Sequence, residues 1–165
     1  MNFQVGDTVI HWSHGLGQIM AVEERRVMGE SQLYYEVQIQ DINIWVPADA
    51  MLAARLRLPT PAKAFTQLLA ILAGPAEKLP VDRRERKLEL HTKMTDGKAT
   101  SKCHVIRDLT TLEEEKRLNE DDRSTLKRAR SMLVREWGYS LKVPLAQVEN
   151  ELQDLLRPAP VATGA

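Results

Sequence analysis

Apolar and polar residues alternate with a period of two over the first third of the chain, then switch to helical spacing. The alternation is cleanest from Leu33 to Gln40. There Leu33, Tyr35, Val37 and Ile39 share one face, and Tyr34, Glu36, Gln38 and Gln40 share the other. Val5-Gly6-Asp7-Thr8-Val9-Ile10 reads as a turn feeding a short strand. Gln18 to Val22 reads as a second strand, and Asn43 to Val46 as a further one ended by Pro47. The glycines of His14-Gly15-Leu16-Gly17 mark a tight turn or bulge, and Met28-Gly29-Glu30 marks a hairpin turn.

Pro59-Thr60-Pro61 is the boundary, with Thr60 suited to an N-cap and Pro61 to the first helical position. Phe65, Leu68, Leu69 and Leu72 then form the buried stripe of a first helix, stopped at Gly74-Pro75. A second helix follows Leu79-Pro80 and closes on Gly97, with Leu88, His91 and Met94 inward. A third spans about Thr100 to Leu118, with Val105, Ile106, Leu109 and Leu112 inward. Asn119 caps a fourth, whose core positions are Leu126, Ala129, Met132 and Leu133. Pro144 starts a fifth, with Leu145, Val148, Leu152 and Leu155 inward. The expected fold class is therefore α+β. A small N-terminal antiparallel β domain of the Tudor or SH3 kind (1–58) precedes an all-α domain of about five helices (59–157) and a Pro/Ala-rich flexible tail (158–165).

The 165 residues are 43% hydrophobic and 28% charged, the balance of a soluble globular protein. No apolar run approaches the ~18 residues of a membrane helix, and MNFQVGDTVI has no charged-then-apolar leader pattern. A single cysteine, Cys103, excludes an internal disulfide framework and fits a reducing cytoplasm. Net charge is zero overall, yet residues 1–58 carry about −3 and residues 82–136 about +3. The split implies two modules with different partners, the second facing an anionic polymer.

His11, His14, His91, Cys103 and His104 fit no zinc-ligand spacing, and no phosphate-loop or nucleophile pattern is present. Neither an enzyme nor a cofactor is implied. The aromatic residues Trp12, Tyr34, Tyr35 and Trp45 all fall in the β part. Tyr34 and Tyr35 are neighbours on a strand, so one of them faces outward, and Trp45 sits at a sheet rim. An exposed aromatic beside an unpaired strand edge is a docking surface to which a partner adds a strand. In the helical part, Arg83, Arg84, Arg86 and Lys87 crowd a helix start, where the macrodipole favours anions. Arg123, Lys127, Arg128 and Arg130 follow near a second. Solvated faces would explain them, and so would phosphate contact, mainly to a nucleic-acid backbone.

These pieces, in order, resemble the CarD/CdnL family of bacterial transcription regulators, which share their N-terminal module with the transcription-repair coupling factor. The similar pieces are Phe3-x-Val5-Gly6-Asp7-Thr8-Val9, His14-Gly15, Gly29-Glu30 and Val46-Pro47 in the β part. In the helical part they are Leu79-Pro80 to Gly97, Val105-Ile106-Arg107-Asp108-Leu109, and Leu118-Asn119 through Lys127-Arg128-Ala129-Arg130 to Leu133-Val134. The resemblance implies a non-enzymatic cytoplasmic monomer. Its N-terminal domain docks on the RNA polymerase β subunit, and its helical domain lies on promoter DNA at the upstream edge of the −10 bubble, stabilising the open complex. By position, Arg25, Tyr35, Val37, Trp45 and Pro47 would contact polymerase. By the same carry-over Arg84, Arg86 and Arg123 would contact DNA, and the neighbouring cations Arg83, Lys87, Lys127 and Arg128 of the two basic clusters are candidates beside them, along the backbone and minor groove. Relatives usually carry a minor-groove tryptophan wedge where this chain has Arg83, and some carry arginine or methionine at Trp45. The alternative is a protein–protein adaptor that never touches DNA.

Overall fold

In the computed structural model, which describes residues 2–157, the first third forms one antiparallel sheet in the order β4-β3-β2-β1-β5. The strands are β1 (Thr8–His11), β2 (Gly15–Val27), β3 (Glu30–Ile39), β4 (Ile42–Pro47) and β5 (Leu56–Arg57), with a one-turn helix α1 (Leu52–Arg55) before the last. The tail expected to be flexible lies outside the described residues. Period-two alternation puts Tyr35, Val37 and Ile39 on the buried face with Val9, Ile19 and Val46. Leu33, expected beside them, stays partly exposed because β2 and β3 run past the core as a long hairpin. Gly17 is required by close approach: a Cβ there would lie 2.7 Å from the Ile39 side chain and 2.8 Å from the Gln38 carbonyl.

Five helices follow: α2 (Ala62–Ala73), α3 (Arg83–Thr95), α4 (Ala99–Glu115), α5 (Glu120–Leu141) and α6 (Leu145–Leu156). They enclose a second core around Phe65, Leu72, Ile106, Leu109, Leu133, Trp137 and Leu152. Asn119 caps α5 as expected, its side chain accepting from the Asp122 N–H at 2.8 Å. Thr60 does not cap α2. Its N–H and hydroxyl both donate to Glu136, at 2.8 and 2.6 Å, and Pro61 takes the cap position. The helix after Leu79 is turned relative to expectation. Its inward positions are Arg86, Leu90 and Met94, whereas Leu88 is 68% exposed and His91 is exposed. Leu145, expected inward, is half exposed at the start of α6.

The two cores meet at a polar junction. Arg57 on β5 forms a two-pronged pair with Glu136 on α5, both contacts at 2.8 Å, and its Nε donates to the Gly97 carbonyl at 2.7 Å. Burial pushes the Glu136 carboxyl up, but the Arg57 fork and Thr60 more than offset this and hold it below the usual carboxylate range. Around this pair, Met132 packs against Gly15 at the start of β2, and Arg128 donates to the Ser13 carbonyl at 3.3 Å. The β sheet is thereby fixed against α5.

The same junction carries an acid-sensitive group. His11 Nδ1 accepts from the Ser13 N–H at 3.2 Å and lies 3.4 Å from His14 Nδ1. Burial, then the neighbouring His14, lowers the His11 pKa from 6.5 to about 4. A neutral, buried imidazole stabilises the fold above the unfolded-state value of 6.5, and that contribution falls away as pH drops toward 4. His11→Asn, which keeps an acceptor for Ser13, is expected to remove about 2 kcal/mol of the stability lost between pH 7 and 4.5. Urea titrations at the two pH values check this, and equal losses in both proteins would contradict it.

Candidate polymerase and nucleic-acid interfaces

β4 is a terminal strand of the sheet, and its outer side is unpaired among the described residues. It pairs with β3 through Ile39↔Ile42, Val37↔Ile44 and Tyr35↔Val46, and Ala48 N–H continues the ladder to the Leu33 carbonyl at 2.8 Å. Alternation therefore turns the backbone of Asn43, Trp45 and Pro47 toward the open side. Pro47 has no N–H, so the edge offers two donors and three acceptors and then stops.

On the outer face, three side chains from three adjacent strands line up beside that edge. The Arg25 guanidinium lies 4.0 Å from the centre of the Trp45 ring and 5.7 Å from that of Tyr34. Glu23 sits 3.5 Å from Arg25 on its own strand. The cation stiffens a half-buried aromatic into a fixed, flat contact. Tyr34 is the outward member of the Tyr34–Tyr35 pair, since alternation with buried Tyr35 places it on this face.

Two expected polymerase contacts are corrected. Tyr35 is 2% exposed, packs edge-on against Phe3 and accepts the Phe3 N–H on its hydroxyl, and Val37 is fully buried. Both belong to β3, whose two edges are already paired, so neither side chain nor backbone is free. Arg25 and Trp45 lie on the accessible face, and Pro47 closes the edge.

The basic corner is built where α3 begins beside α5. Asp82 caps α3 by accepting the Glu85 N–H at 3.1 Å, and this aims Arg83, Arg84 and Lys87 outward. Arg86 is corrected. It is 3% exposed, and its Nε donates to Asp122 at 3.0 Å while one Nη reaches the Pro80 and Val81 carbonyls at 3.1 and 3.2 Å. A guanidinium with these partners is a structural tie, not a phosphate contact.

On α5 the cations divide. At about 100° per residue, Arg128 shares the side of Ser124 and Asp121 facing α3, while Arg123 and Lys127 turn roughly a quarter to a third of a turn away. Arg84, Lys87 and Arg128 thus line one groove, and Arg83 sits at its end beside Asn119 and Asp121. Lys87 and Asp121 form an exposed pair at 3.6 Å, too solvated to hold either firmly.

Other candidate chemistry does not assemble. Burial pushes the Cys103 thiol up to about 12, far from a reactive thiolate. Among the described residues no three His, Cys, Asp or Glu side chains converge as metal ligands, and no described helix is long and apolar enough to cross a membrane.

Comparison with known proteins finds two family matches along the chain. Residues 3–57 match the CarD-like/TRCF RID domain, and residues 67–153 match the CarD C-terminal domain. A candidate transcription factor of Bacillus subtilis (strain 168), YdeB, is 28% identical over 137 residues, covering 81% of this chain and 89% of that protein.

Proposed function

The chain belongs to the CarD-like family of transcription-associated regulators, with an RNA polymerase-interacting module at its N-terminus, and from that premise we propose a specific mode of action. The β4 edge accepts a strand from the polymerase β subunit, and the Arg25–Tyr34–Trp45 strip packs against the flank of that strand. The junction through Arg57 and Glu136 then holds the helical module at a set angle. Arg83, Arg84, Lys87 and Arg128 lie against promoter DNA at the upstream edge of the −10 bubble, with Arg123 and Lys127 reaching backbone phosphates on an adjoining face. The regulator works without catalysis or cofactor, as a cytoplasmic monomer, by lowering the free energy of the open complex. Arg83 replaces the relatives' tryptophan, so a guanidinium contact stands in place of an apolar wedge.

The observation that carries this reading is the unpaired β4 edge beside a cation-stacked tryptophan, inside the part of the chain that matches the polymerase-interacting family. Open-complex lifetime on a promoter fragment tests it. The parent protein is expected to lengthen the lifetime, and Trp45→Ala to abolish the gain at limiting concentration. Arg84→Ala is expected to reduce the gain without loss of polymerase binding. No change with the parent protein would contradict the reading, and full activity of Arg84→Ala would return that arginine to a solvated surface.

A further inference from the structure

We propose that the groove between α3 and α5 holds one unpaired nucleotide of a single-stranded segment, with its base on Leu88 and His91. This deepens the DNA-contact reading and rests on it. The groove encloses about 590 Å³, within the range of small-ligand clefts. Leu88, 68% exposed, lines this groove together with Arg84, Lys87 and Arg128, so an apolar surface and three cations face the same space. His91 stands one turn further along the same face of α3, and the buried side chains of Leu90 and Met94 close the floor.

Positive charge frames this apolar centre at both ends. Arg84 and Lys87 stand at the α3 start, and Arg128 on α5 stands opposite. Two carboxylates share the groove: Asp122 is taken by buried Arg86 at 3.0 Å, and exposed Asp121 lies 3.6 Å from Lys87, a solvated pair that a phosphate can displace. Arg84 to His91 spans two helical turns, about 10 Å, enough for a base with a phosphate on either side.

The apolar centre decides between occupants. A duplex presents phosphate and sugar outward and keeps its base faces stacked, so it would meet the cations and leave Leu88 with nothing to cover it. An unpaired base has a free face that stacks on an apolar or aromatic side chain whatever its identity. A partner helix would need an apolar stripe over several turns, and here the stripe is one leucine and one imidazole.

Fluorescence anisotropy of the full chain with a labelled oligothymidine of about 12 nucleotides, against a duplex of equal length, tests the proposal. The single strand is expected to bind more tightly. Leu88→Ala is expected to weaken single-strand binding about fivefold with the salt dependence unchanged, because it removes apolar contact only. Arg84→Ala is expected to flatten the slope of log K against log salt by about 0.7, the loss of one phosphate contact. The Leu88 side chain is too exposed for its truncation to unfold the chain, so the variant reads binding directly. Equal affinity of Leu88→Ala and parent, or a preference for duplex, would overturn the nucleotide site while leaving the DNA contact in place. No binding to either DNA would overturn both.

Discussion

Arg86→Ala is expected to destabilise the helical module by about 3–5 kcal/mol, the cost of leaving a buried partner uncompensated. The guanidinium is 3% exposed and makes three hydrogen bonds, to Asp122 and to the carbonyls of Pro80 and Val81. Its loss strands a buried carboxylate on the first turn of α5 and frees the loop that leads into α3. Arg84, two residues away and exposed, is expected to change stability by no more than about 0.5 kcal/mol when truncated. Urea unfolding separates the two, because a shift of midpoint at constant slope reports stability alone. A midpoint for Arg86→Ala close to that of Arg84→Ala would contradict the structural role.

Glu136→Ala is expected to cost about 2–3 kcal/mol, and its effect falls on the junction between the two cores. Glu136 is 4% exposed and accepts four hydrogen bonds, two from Arg57 and two from Thr60. Arg57 keeps 30% of its side-chain surface, so water takes up part of the loss and the cost stays below that of a fully buried pair. Without the carboxylate, the Gly15–Met132 packing, the Arg128–Ser13 hydrogen bond and the Gln40 side-chain carbonyl facing the Arg135 guanidinium are what tie the sheet to α5 among the described residues. Spin labels on β3 and α6 are expected to give one narrow distance distribution in the parent and a broad one in Glu136→Ala. The pH dependence has a definite sign. Because the folded-state carboxyl is held below its ordinary value, the pair stabilises above the unfolded-state pKa and is lost as pH falls through the folded one. An unchanged distance distribution in Glu136→Ala would show that packing alone sets the angle.

The sheet was largely legible because its signal is local. Tyr35, Val37 and Ile39 had to share a face once β3 was a strand, and Asn119 had to cap a helix that begins with three acidic residues. The rotation of α3 was not legible. A reading that keeps arginine in water assigns Arg86 outward and Leu88 inward, and only the acceptors supplied by Asp122 and the 80–81 carbonyls reverse that choice. Those partners are set by the fold, not by neighbours in the chain. The Arg57–Glu136 junction joins residues 79 apart and has no periodic signature, so local pattern carries no sign of it, and Thr60 reads as a cap from its neighbours alone. Of the residues that position in the family assigns to docking, Trp45 and Arg25 lie on the accessible face, whereas Tyr35 and Val37 point into the core. Position within a family carries a residue's place along the chain, whereas accessibility depends on which strand ends up at the edge.

The most direct test of the account is the dissociation constant of the chain for RNA polymerase, or for an isolated fragment of its β subunit, measured for the parent and for Trp45→Ala. If β4 and the Arg25–Tyr34–Trp45 strip form the docking surface, the parent binds and Trp45→Ala weakens binding by about 1–3 kcal/mol, the range for an interface anchor. No binding by the parent, or equal constants for the two proteins, would contradict it.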